Sequence, residues 1–136
     1  MSDYKKLKVW EADHNFTIDI YKVTKRFPEN EKYGLISQIR RSASSIPTNI
    51  VEGCGQLDNG NLIRFLGIGK GSAFEVEYQL LLSKDLGYIN INEFSVLNER
   101  IKLIIRMINN LIKSLKNLKL KTENRKPKTL PSGVKL

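Results

Sequence analysis

The sequence predicts an all-α fold, an antiparallel up-down-up-down four-helix bundle, and three observations carry that prediction. Apolar residues recur at alternating steps of three and four through four successive segments, each roughly 20 to 30 residues long, the spacing that puts one apolar stripe on a helix. Capping and turn residues separate the segments, so neighbouring helices must reverse direction. No run alternates apolar and polar residues as a half-buried strand does.

The first helix carries Val9, Phe16, Ile20, Val23 and Phe27. Asp13 interrupts its stripe, and Pro28 closes it, because the residue before a proline is pushed out of the helical region. In the second helix the stripe runs through Ile36, Ile39, Ala43, Ile46, Ile50, Gly53 and Leu57 and passes straight through Pro47. Proline removes a backbone donor and crowds the carbonyl four residues back, at a cost of about 3 kcal/mol in a regular helix. A kink near Pro47, held by tertiary packing, is therefore expected. The turn at Asp58, Asn59, Gly60 and Asn61 leads into a third helix with Leu62, Phe65, Leu66, Ala73, Val76, Leu80 and Leu81, ending near Leu86 with Gly87 just past its end. The fourth start is the most explicit. Asn90 can cap, Glu93 stands three residues on as in a capping box, and Ile89 can staple onto Phe94. Phe94, Leu97, Ile101, Ile104, Ile108, Leu111, Leu115 and Leu118 then give the longest stripe in the chain. From Lys119 the periodicity fades and Pro127, Pro131 and Gly133 follow. The expected organisation is a bundle over residues 1–118 and a basic flexible tail over 119–136.

With 136 residues the chain suits one domain with a real core. A single cysteine, Cys54, and a single histidine, His14, exclude an internal disulfide and a His/Cys metal centre. No cofactor and no metal are expected. The first residues are polar, with neither a signal peptide nor a membrane span, so a cytoplasmic protein is expected.

Charge divides sharply along the chain. Residues 1–99 hold 12 Lys and Arg against 13 Asp and Glu, a net of −1. Residues 100–136 hold 11 Lys and Arg against Glu123 alone, a net of +10. Such a segment suits an anionic partner, nucleic acid foremost. On the fourth helix Lys102, Arg106, Lys113 and Lys116 fall opposite the apolar stripe, and Lys119, Lys121, Arg125, Lys126 and Lys128 extend the array. No aromatic residues interleave with them, so binding should be only weakly sequence-selective.

On the second helix Gln38, Arg41, Ser45, Asn49 and Glu52 form a polar stripe flanking the apolar one. Charges beside a core persist when paired, so these five are expected to form a structural hydrogen-bond network at a helix or subunit interface. Arg40, one residue off that stripe, is the better phosphate contact. Gly67-Ile68-Gly69-Lys70-Gly71-Ser72 superficially resembles a phosphate loop, but Gly71 separates Lys70 from Ser72 and no strand precedes it. Glycines admitting a close neighbouring backbone are the expected explanation. His14, Asp13 and Glu11 are adjacent in sequence without sharing a helix face or a nucleophile, so no catalytic residue is assigned.

In order, the chain carries Leu7-Lys8-Val9-Trp10, Tyr33-Gly34-Leu35, Gln38-Ile39-Arg40-Arg41-Ser42-Ala43, Ser45-Ile46-Pro47-Thr48-Asn49-Ile50-Val51-Glu52-Gly53, Arg64-Phe65-Leu66, Gly71-Ser72 and Leu86-Gly87-Tyr88. This series resembles the bacterial four-helix-bundle family encoded within intervening sequences of 23S ribosomal RNA genes. The resemblance covers about Leu7 to Tyr88 and implies a non-catalytic bundle assembling as a homo-oligomer, a pentamer. A related branch serves as the accessory protein of diversity-generating retroelements, where the oligomer binds a reverse transcriptase and nucleic acid. Two departures stand out: Gly55-Gln56 where the family favours Gly followed by Arg, and Asn61-Leu62-Ile63 in place of a more acidic approach to Arg64-Phe65. The leading expectation is a non-enzymatic, homo-oligomeric bundle binding structured nucleic acid, RNA in preference, through its basic C-terminal region, with Arg40 and Arg64 as further contacts. The alternative is a protein-interaction scaffold, or an accessory subunit of a reverse transcriptase.

Overall fold

The computed structural model describes residues 3–125. Four α-helices follow one another: α1 (Lys8–Thr24), α2 (Leu35–Cys54), α3 (Asn59–Asp85) and α4 (Ile91–Arg125). Short 3-10 turns at Tyr4–Lys6 and Glu29–Glu31 precede α1 and α2. No strand occurs among the described residues. α1 packs on α2 and α4, α2 on α3, and α3 on α4, closing a ring whose diagonal helices keep their backbones apart. That ring is the four-helix bundle the apolar stripes predict.

The helix signals act as expected at three ends. Asn90 Oδ1 accepts from Glu93 N at 2.8 Å while Asn90 N donates to Glu93 Oε1 at 3.1 Å, a reciprocal capping box. Arg26 pairs with the same carboxylate. That hydrogen bond, with the one from Asn90 N behind it, holds Glu93 below the usual carboxylate range. Asp58 caps α3 by accepting from Asn61 N at 2.8 Å. Gly87 closes α3 at φ +81°, with Tyr88 N donating to Ser83 O at 2.9 Å. Few residues but glycine adopt that left-handed turn cheaply.

Pro47 lies inside a helix that runs unbroken from Leu35 to Cys54. The proline leaves the Ala43 carbonyl without its helical donor, and the Thr17 hydroxyl reaches it from α1 at 3.3 Å. The same hydroxyl proton is shared with Asp13 O, 2.9 Å away. Tertiary packing thus supplies what the proline removes.

The core is one cluster drawn from all four helices. Phe16, Ile20, Ile39, Ile46, Ile50, Leu62, Leu66, Leu80, Ile101, Ile104 and Ile108 are essentially inaccessible. Three apolar residues of the predicted stripes, Leu57, Leu81 and Leu118, are exposed and fall outside it. α2 ends at Cys54 with Gly55 as its cap, so Leu57 stands in the following turn, fully exposed. Leu118 is half exposed, because α4 outruns its neighbours: its 35 residues span about 52 Å at about 1.5 Å each, against about 40 Å for the 27 residues of α3. α4 remains helical past residue 118, to Arg125.

Candidate nucleic-acid interface

The basic face of α4 follows from helical arithmetic. At about 100° per residue, Lys102, Arg106, Lys113 and Lys116 lie within one narrow sector, while Leu97, Ile101, Ile104, Ile108 and Leu115 turn toward α1 and α3. All four cations are exposed, and none forms an ion pair among the described residues. The face is centred about 135° round the helix from the apolar stripe, turned somewhat toward α3, where Lys102 lines the α3–α4 groove with Phe74, Tyr78 and Asn98. Lys121 is exposed further along, about 100° round the helix from Lys102, and the backbone of Lys119 and Arg125 continues the helix. Lys126 and Lys128 lie outside the described residues.

The neighbouring cations divide by what holds them. Arg100 is drawn away from the array by Asp19, 2.7 Å from its Nη1. Arg64 is exposed, with its guanidinium 4.6 Å from the Phe65 ring centroid. Arg40, expected as a phosphate contact, is committed within the chain. Its Nε donates to Thr24 Oγ1 at 2.8 Å, its Nη2 donates to Tyr21 O at 3.1 Å, and the guanidinium covers the Tyr21 ring. The reason is its position at the α1–α2 seam, where the orphan groups near the end of α1 offer acceptors.

The five-residue polar stripe on α2 also divides. Asn49 is buried and donates to Ser45 O at 2.7 Å and to Ser45 Oγ at 3.1 Å, and Ser45 Oγ lies 2.9 Å from Ser72 Oγ of α3. Ser42 extends this seam by donating to Glu75 Oε2 at 3.2 Å. Gln38, Arg41 and Glu52 are exposed and take no part in it within one chain. Arg41 and Glu52 stand eleven residues apart, about 16 Å along the axis, too far to pair within one helix. Ser42, Ser72 and Glu75 were absent from the expected network. Only the α2–α3 register brings them together, although small polar residues at matching steps on both helices hint at it.

The glycine run separates in the same way, because steps of two turn about 200°. Gly69 faces α2, where an added Cβ would stand 3.5 Å from Asn49 Cβ and Ile46 O. Gly67 and Gly71 face open space, so the close neighbour expected for all three glycines is present for one. Continuing along their side of α3, Phe74 is 50% exposed, Tyr78 61% and Leu81 40%. Gly67, Gly71, Phe74, Tyr78 and Leu81 thus line an outward seam spaced four, three, four and three.

No helix among the described residues is long and apolar enough to cross a membrane. Residues 5–110 match the model of the 23S rRNA-intervening sequence protein family. The chain is also similar to a protein of unknown function from the S23 ribosomal protein family of Bacteroides thetaiotaomicron VPI-5482, known from a crystal structure. The two are 26% identical with a TM-score of 0.71, over 77% of this chain and 95% of that one. No curated protein matches the chain.

Proposed function

The chain belongs to the 23S rRNA-intervening sequence protein family, and from that premise we propose that it is a non-enzymatic, homo-oligomeric bundle that binds structured RNA through the basic face of α4. The observation that carries this reading is the row Lys102, Arg106, Lys113 and Lys116, exposed on one helix side and without an ion pair among the described residues, in a region of net +10. A straight row of cations with no interleaved aromatic ring meets phosphates rather than bases, so affinity falls with salt and varies little with sequence. Lys119, Lys121, Arg125, Lys126 and Lys128 follow in the sequence and add to the charge of the same region.

Self-association is supported by the α3 seam. Apolar side chains exposed in a line beside two glycines leave a surface that another helix can cover closely. The same seam favours the second reading, a scaffold for another protein such as a reverse transcriptase.

The test replaces Lys102, Arg106, Lys113 and Lys116 by glutamine and measures binding to a structured RNA, with Arg40→Gln as the control that disturbs a cation held inside the fold. On the first reading the quadruple variant loses at least tenfold in affinity and Arg40→Gln changes it little. Equal affinity for the natural chain and the quadruple variant would remove α4 from the interface and put the scaffold first.

A further inference from the structure

Asp13 lies on the core side of α1, four residues after Val9 and three before Phe16, both buried. It is itself 0% exposed, and neither carboxyl oxygen has a hydrogen-bond partner among the described residues. The charged and titratable groups of every element packed around it are occupied elsewhere or point outward. On α1, His14 stacks on Trp10 and lines a surface groove, and Glu11 is exposed. Lys5 and Lys6 of the preceding turn are exposed, with Tyr4 stacked edge-on to Trp10. On α2, Arg40 serves Thr24 and Tyr21, Arg41 and Glu52 are exposed, and Cys54 lies at the C-terminal end. On α4, Arg100 pairs with Asp19, Glu93 pairs with Arg26, and Glu99, Lys102 and Arg106 are exposed.

We propose that Asp13 is a proton-operated latch: the bundle closes on the neutral carboxylic acid, and loss of that proton loosens α1 from α2 and α4. An ionised carboxylate with no cation and no donor cannot be kept in a dry core, so the site holds a proton or opens to water. Burial alone raises this carboxyl from its ordinary 3.8 to about 8. The location adds mechanical weight. The Asp13 carbonyl shares the Thr17 hydroxyl with the Ala43 carbonyl that Pro47 leaves open, so the acid sits where α1 supplies the donor that Pro47 withholds from α2.

The sign follows from linkage. The folded state holds the proton more tightly than the unfolded state, so this contribution to stability is complete below the unfolded value and is lost as pH rises toward the folded one. Urea unfolding of the natural chain, Asp13→Asn and Asp13→Ala between pH 5 and 9 tests it, since every other titrating group is common to the three. The folding equilibrium constant of the natural chain should fall, relative to both variants, about tenfold per pH unit up to about pH 8 and level off above it. Asp13→Ala guards against a poorly accommodated amide. Hydrogen exchange should show α1 amides losing protection ahead of α3 in the natural chain as pH passes 8, and not in Asp13→Ala. Parallel pH curves for the three chains, or a carboxyl carbon resonance of Asp13 titrating below pH 5, would overturn the proposal, and simultaneous loss of protection in α1 and α3 would overturn the latch.

Discussion

Thr17 stands opposite the carbonyl that Pro47 deprives of its donor, and the two residues come from different helices. A buried carbonyl left without any donor costs about 1 to 3 kcal/mol, so Thr17→Val should lower stability by roughly 1 kcal/mol, the proton being shared, while Thr17→Ser should recover most of the loss. Urea midpoints of the two variants provide the comparison. The proline inside the stripe was legible in the sequence, because Ile39, Ala43, Ile46 and Ile50 keep register across it. Its remedy was not, since which hydroxyl meets Ala43 depends on how α1 lies on α2. Asp13 gives the complementary case. The spacing of Val9, Phe16 and Ile20 put position 13 on the core side, its polarity argued for an interruption, and helical geometry prevailed.

Glycines on α2 and α3 separate packing from propensity at the scale of whole elements. At Gly53 an added Cβ would stand 2.8 Å from Leu62 Cδ1 and 3.1 Å from Phe65 Cβ, so Gly53→Ala crowds the α2–α3 seam and should cost about 1 to 3 kcal/mol. At Gly67 nothing lies within 4 Å, and in the isolated bundle Gly67→Ala should gain about 0.5 to 1 kcal/mol from helix propensity alone. Thermal unfolding of both variants at low protein concentration checks the opposite signs. Helix existence and the capping box of α4 could be read from apolar spacing and from Asn90 and Glu93. The division of the α2 polar stripe could not, because exposure of Arg41 and Glu52 and burial of Asn49 depend on where α3 settles. For the same reason the sequence presents Arg40 as a free cation, whereas the fold places it on Tyr21 and Thr24.

Over the whole molecule, an outward apolar seam and a basic helix face lie side by side on α3 and α4, and each makes a separate demand. If the seam joins copies, light scattering should return a multiple of 15.6 kDa at micromolar concentration. Phe74→Arg should return a monomer with unchanged helical content, because Phe74 is half exposed and its loss leaves the core intact. If the basic face meets RNA, binding rests on counterion release, with each neutralised phosphate contributing about 0.7 to 0.9 to the slope of log affinity against log salt concentration. The most direct measurement is therefore that slope for the full chain and for the variant with Lys102, Arg106, Lys113 and Lys116 replaced by glutamine, on several structured RNAs. A steep negative slope is expected for the natural chain on every RNA, and a slope shallower by up to about 3.6 per contacting chain for the variant. Binding that is absent or indifferent to salt in the natural chain, or slopes that coincide for the two chains, would contradict an RNA interface on α4.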